Sequence, residues 1–248
     1  MMNKRLGYPA IFIAIAVTAV VSIASKSDRR DSDVPSTIIW AWDRPENLRF
    51  LPAHTGVAFL VDAVTVRRGK VTDRMRVYPV QVRQDTYRIA VLRLDTDGTQ
   101  IPNSATSQIV HSVLRAAALE HVDGVQIDFD TRRSEREWYR NFLRQVRNKL
   151  APDKRLSITA LASWCEGDDW LSDLPIDEAV PMIFRLGPER NTFRRMIATG
   201  EPFREALCNE SLGLSTDELV SPSGARRVYW FSPVPWTQQE YNKTGASK

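Results

Sequence analysis

The stretch from Val122 to Asp130, VDGVQIDFD, alternates apolar residues with acids or an amide. In an extended chain the side chains at i and i+2 share a face. Gln126, Asp128 and Asp130 therefore project to one side, and Val125, Ile127 and Phe129 to the other. Carboxylates two residues apart stand about 7 Å from each other along the backbone, near enough for each to raise the other's proton affinity. One can then hold a proton while its neighbour stays ionised. Glycosidic cleavage uses that division of labour: an acid protonates the leaving oxygen, and a negative group supports the oxocarbenium-like centre. On this reading Asp130 is the proton donor and Asp128 stabilises the reaction centre.

An acidic face on an apolar strand needs a scaffold that buries one side and opens the other. Eight short segments rich in Val, Ile, Leu and aromatics are bounded by turn formers: 37–42, 56–61, 87–94, 124–129, 155–162, 178–184, 211–215 and 227–231. Helical patterning lies between several of them. Ser134-Glu135-Arg136-Glu137 reads as a capping box, followed by Trp138, Phe142, Val146 and Leu150 at four-residue spacing before Pro152. Ile109, Val110, Val113, Leu114, Ala117 and Ala118 form a similar stripe. Strands alternating with helices predict an α/β fold with a parallel sheet, here a compact, irregular (β/α)8 TIM-type barrel over residues 37–236. Its first and second helices are reduced, and residues 64–80 form a hairpin insertion turning at Arg68-Gly69. A doubly wound open sheet is the alternative, but it usually needs longer helices than this chain supplies.

In a barrel the acids would reach the C-terminal mouth, where barrel enzymes keep their chemistry. Aromatic residues collect at the same predicted strand ends: Trp40 and Trp42 on the first, Trp164 after the fifth and Trp230 on the eighth. Sugars stack their C–H faces on indoles, so a tryptophan rim suits a carbohydrate cleft. Gln126, Trp42, Trp164, Arg185 and Trp230 are the expected substrate-binding residues. Two other roles compete for the acids. Arg185, Arg132 and Arg133 could neutralise them in a closed ion-pair network, or Asp128 and Asp130 with Asp95 could bind Mg²⁺ or Ca²⁺. His54, His111 and His121 lack paired spacing, which disfavours zinc. No phosphate loop, nucleophile elbow or dinucleotide fingerprint occurs, so no cofactor is implied.

The residues from Asp123 to Asp130 resemble the fourth-strand signature of chitinase-type (family 18) glycoside hydrolases, an alternating acidic motif opened by Asp-Gly and ended by Glu. Pro181-Met182-Ile183-Phe184-Arg185 is similar to that clan's sixth-strand Met-x-Tyr-Asp. Val228-Tyr229-Trp230-Phe231-Ser232 is similar to its eighth strand, whose Trp floors the sugar site. This chain departs from the pattern in having Asp130 for Glu, Gln126 for the first inward carboxylate and Phe184-Arg185 for Tyr-Asp. IIWAWDRPENLRFL, GVAFLVDAV, VDGVQIDFDTRRSE, LSITALASWCEGDDWLSDLPIDEAVPMIFRLG and SLGLSTDE together resemble the bacterial domain-of-unknown-function family 3142. That resemblance implies an exported barrel related to glycoside hydrolases and brings no substrate.

Lys4 and Arg5 precede an apolar run from Leu6 to Ile23, and Ser22-Ile23-Ala24 offers the small residues that signal peptidase needs. Residues 1–24 are read as a signal peptide or an inner-membrane anchor, 25–36 as a disordered tether and 237–248 as a disordered tail. The protein is expected to be periplasmic or secreted, meeting a membrane only through its N-terminal segment. The net charge of +4 falls to +2 if Lys4 and Arg5 leave with the leader, and arginine is scattered, so nucleic-acid binding has little support. Cys165 and Cys208 are a candidate disulfide. An oxidising compartment favours the bond, while their positions after one strand and before another suggest opposite ends of the sheet. Two functions remain: a hydrolase of an envelope or environmental polysaccharide, or a non-catalytic carbohydrate-binding or envelope-assembly protein on a degenerate barrel.

Overall fold

The computed structural model describes residues 34–224 and 227–246. The expected leader and most of the tether lie outside the described residues. In chain order the strands are β1 (Thr37–Ala41), β2 (Glu46–Asn47), β3 (Thr55–Arg67), β4 (Lys70–Met75), β5 (Val80–Gln81), β6 (Arg88–Thr96), β7 (Gly124–Asp128), β8 (Arg155–Leu161), β9 (Glu178–Met182), β10 (Ser211–Ser215) and β11 (Arg227–Phe231). The helices are α1 (Asn103–Ala117), α2 (Arg136–Lys149), α3 (Ala162–Gly167), α4 (Arg190–Thr199) and α5 (Gln238–Asn242).

Eight strands run parallel in the order β1, β11, β10, β9, β8, β7, β6, β3, and β3 pairs back onto β1 from Thr37 beside Thr55 to Ala41 beside Phe59. The sheet is therefore a closed barrel, as the alternating strand and helix pattern predicts. Outward-facing Leu92, Leu94, Val125, Ile127, Leu156 and Ile158 are buried in one apolar cluster with Ile109, Val110 and Val113 of α1 and Phe142, Leu143 and Val146 of α2. Apolar residues at three- and four-residue spacing line one side of each helix, so burying that stripe fixes the helix against the barrel wall. The chain enters α2 through a 3-10 turn at Arg133–Glu135. Glu135, rather than the expected Glu137, closes the entry by accepting from the Arg132 N–H at 2.8 Å.

The first two helices are absent. Residues 42–54 carry only β2 and turns, and a ribbon stands in place of the second helix. The sequence suggested a strand over 56–61 followed by a separate hairpin. The structure joins them: β3 runs for 13 residues, shifts register between Leu60 and Asp62, and turns at Arg68-Gly69 into antiparallel β4. Both turn residues have positive φ, 49° and 74°, as a two-residue hairpin matched to right-handed strand twist requires. Asp97 Oδ2 accepts from the Arg68 N–H at 2.8 Å and holds the turn over the end of β6.

Two further expectations are corrected. The tail is not wholly disordered: Thr237 caps α5 by accepting from the Glu240 N–H at 3.1 Å. Tyr241 is fully buried, with its hydroxyl 2.7 Å from Thr55 Oγ1, and that burial offsets the entropy of ordering the segment. Cys165 and Cys208 are not at opposite ends of the sheet. Helix α3 turns the chain back outside the barrel, the Glu205 N–H donates to the Cys165 carbonyl at 3.0 Å, and the two cysteines form a disulfide with Cα atoms 6.0 Å apart.

Candidate functional site

Alternation sorts the barrel interior into polar layers. On the floor, Glu178 is buried and accepts from Ser211 Oγ, Arg227 Nη1 and Tyr229 OH, the last at 2.9 Å. Above it Gln126, with no exposed surface, accepts from Trp40 Nε1 at 2.7 Å and donates to Ser157 Oγ at 3.2 Å. The Trp40 ring lies on the backbone of Gly213, where an added Cβ would sit 2.9 Å from Trp40 Cη2. Trp40 also meets Tyr229 at 5.3 Å and Phe184 at 6.3 Å between ring centroids. The barrel is therefore filled to mid-height, and only its upper end is available to a ligand.

Asp128 lies at that upper end and is 6% exposed. Its Oδ1 accepts from Thr159 Oγ1 at 2.8 Å, and its Oδ2 pairs with Arg93 Nη1 at 3.3 Å. Burial raises its pKa above the usual carboxylate range, Arg93 and Thr159 oppose the rise, and Asp130 and Asp95 add to it. Asp130 lies two residues further on and is exposed. The protein mass around it raises its pKa too, with Arg93 opposing and Asp95 adding. Arg93 also pairs with Asp95 at 3.2 Å. Burial works against its charge, but Asp128, Asp95 and Asp130 outweigh that cost and raise its pKa. The cation set between Asp128 and Asp95 is thus a guanidinium.

Asp130 opens onto a groove of about 610 Å³. Leu161, Met182, Phe184 and Phe193 give it apolar walls, and Arg185 and Glu189 add charge. This corner is the C-terminal mouth over β7, β8 and β9, where side chains from different strand ends converge on one space. It has room for a ligand beside an acid whose proton affinity is raised.

The expected site residues divide. Asp128, Asp130 and Arg185 reach the mouth. Arg185, however, pairs with Asp217 at 2.6 Å and with Glu218, so it neither plugs nor neutralises the acids. Trp42 lies at the rim, half-buried and edge-on to Phe231 at 6.5 Å, away from the groove beside Asp130. Gln126 is sealed below and cannot meet a substrate. Trp230 points outward, because Tyr229 and Phe231 take the inward positions of β11, and it is 5% exposed in the apolar layer. Trp164 is buried outside the barrel against Trp170, 5.0 Å between centroids, since α3 carries it down the outer wall. Aromatic groups do face the upper barrel, but they are Phe184 and Phe231, stacked 5.3 Å apart at 5°. Arg93 and Thr159 were missed. The signal was present in Arg93-Leu94-Asp95, where two charges two residues apart share the inward face of β6.

Fold and site together define a closed parallel barrel with a carboxylate pair at its open end. The family described as a domain of unknown function, DUF3142, matches residues 85–188, which run from the start of β6 through β9 to the groove loop. No curated protein matches the chain significantly. Among solved structures, the chain is similar to the chitinase domain of the spore coat protein CotE from Clostridium difficile, at 15% identity and a TM-score of 0.41. That match covers 70% of this chain and 57% of the other, so the chain spans little more than half the length of that domain. It is also similar to a family GH18 chitinase from Chromobacterium violaceum, at 11% identity and a TM-score of 0.47, covering 87% of this chain and 83% of the other.

Proposed function

We infer that the protein is an exported glycoside hydrolase acting on a polysaccharide, with Asp130 as general acid and Asp128 as the stabilising carboxylate beneath it. One observation carries this reading: Asp130, its pKa raised, lines the groove at the barrel mouth while Asp128 stands behind it on the same face. A raised pKa keeps a proton available for a leaving oxygen, and Arg93 and Thr159 favour the charged form of Asp128 as positive charge develops on the sugar. The apolar walls around Phe184 suit the C–H faces of a sugar ring. Export is supported by the leader-like N-terminus and by the Cys165–Cys208 disulfide, a bond that persists in oxidising compartments.

A second reading, a sugar-binding barrel without turnover, is favoured by one specific contact: Arg93 neutralises Asp128 in the resting structure. Reducing-end release from neutral and amino-sugar glycans, measured on wild type beside Asp130→Asn, separates the two. The hydrolase reading expects release by wild type and a loss on the order of 10²-fold or more in the variant. Equal release by both removes Asp130 from the mechanism. Binding without release by wild type establishes the second reading.

A further inference from the structure

The ribbon that replaces the second helix rises past the barrel rim as a wall beside the acids. Register fixes which side chains face the mouth. Asp128 pairs in register with Arg93, Arg93 with Ala63, and Ala63 with Arg74, so these four residues form one row across β7, β6, β3 and β4. The next row on the same face is Asp95, Thr65 and Thr72, and the last pair before the turn is Arg67 and Lys70. The opposite face carries Asp62 and Asp73, which meet Arg115 of α1 at 3.9 and 3.5 Å.

Charge is therefore sorted across the ribbon. Its mouth side presents Arg67, Lys70 and Arg74, the last paired with Asp43, beside Arg93 of β6, which is held by Asp95 and Asp128, while its outer side presents the two aspartates. Arg67, Lys70, Thr72 and Arg74 are exposed. Arg74 reaches Asp43 at the foot of the wall and keeps 67% of its side chain open. Among the described residues, no ion pair engages Lys70 or Arg67. Three strand spacings of about 4.8 Å put Arg74 roughly 14 Å from Asp128, so a chain molecule seated at the acids and running outward from the groove would cross these cations.

We propose that this wall is a subsite for carboxylate-bearing sugars, so that the glycan held across the mouth is an acidic, uronate-containing polysaccharide. The proposal rests on the glycan-cleft reading above and narrows its substrate class. Arginine forks pair with carboxylates through two parallel hydrogen bonds, and a lysine supplies a mobile point charge beside them. Arg67 and Lys70, exposed at the ribbon tip and engaged by no ion pair among the described residues, also draw an anionic polymer toward the rim, an attraction that salt screens.

The test is binding of polygalacturonate oligomers, neutral chitohexaose and dextran sulfate to purified protein, by calorimetry at 50 and 300 mM salt. The variants are Lys70→Ala/Arg74→Ala and, leaving the Arg74–Asp43 pair intact, Lys70→Glu; circular dichroism checks folding. Wild type is expected to bind the uronate oligomers, with affinity falling several-fold at the higher salt. Each variant should bind them at least tenfold more weakly and leave chitohexaose unchanged. No uronate binding by wild type, unchanged affinity in folded variants, or dextran sulfate bound as tightly per charge as the uronate would each overturn the proposal. Cleavage of neutral glycans, unaffected by the variants, would overturn the acidic-substrate assignment and leave the hydrolase reading intact. Uronate binding without cleavage would do the reverse.

Discussion

Replacing Gln126 with Leu separates an interior role from a substrate-binding one. Gln126 is sealed, accepting from Trp40 Nε1 at 2.7 Å and donating to Ser157 Oγ at 3.2 Å. Leucine fills similar space and makes neither bond, which leaves the Trp40 indole N–H unpaired in a dry interior. Two lost hydrogen bonds and one orphaned donor sum to about 2–4 kcal/mol. For a chain of this length each kcal/mol moves Tm by about 2–4 °C, so Gln126→Leu should melt roughly 4–16 °C below wild type. Replacing both partners by apolar groups costs less than orphaning one. Trp40→Phe combined with Gln126→Leu should therefore cost less than the sum of the single changes, by about 1 kcal/mol or more. Denaturant unfolding of all four proteins closes the cycle, and glycan affinity measured below each Tm should match wild type. A Gln126→Leu protein with unchanged stability, or one that folds normally but binds glycan more weakly, would refute the interior role.

Removing the disulfide as Cys165→Ser/Cys208→Ser reopens a loop of 43 residues, a loss of about 4 kcal/mol in the chain-entropy account, so calorimetry should show a Tm lower by roughly 8–16 °C. Asp128 binds its proton more tightly folded than unfolded, so its own contribution to stability should fall as pH rises above the ordinary carboxylate value of about 3.9. Asp128→Asn removes that fall. It should melt above wild type at pH 7, with the difference vanishing below about pH 4 in a pH series of thermal melts.

Most of the barrel was legible because a buried strand announces itself by short runs of β-branched and aromatic residues between turn formers. The Asp128 and Asp130 positions followed from alternation alone, which sets a side chain's face wherever a strand is regular. The same rule already put Tyr229 and Phe231 on one face of the last strand and Trp230 on the other. Motif likeness pointed Trp230 the wrong way. Trp164 and Cys165 depended on a six-residue helix reversing the chain outside the barrel, and no local signal gives the direction of so short an element. Gln126 looked like a polar group awaiting a ligand because its partners, Trp40 and Ser157, are 86 and 31 residues away in sequence. Arg93 shows what parity yields when applied to every strand, for it lies two residues before Asp95 on the face that meets Asp128.

The most direct measurement is a carbon-13 NMR titration of the aspartate carboxyls, run with and without a glycan that the protein binds. The account predicts that the Asp130 signal, assigned through Asp130→Asn, titrates above the ordinary carboxylate value of about 3.9 and shifts when glycan fills the groove. An Asp130 carboxyl that titrates at or below that value, with a signal indifferent to bound glycan, would contradict it.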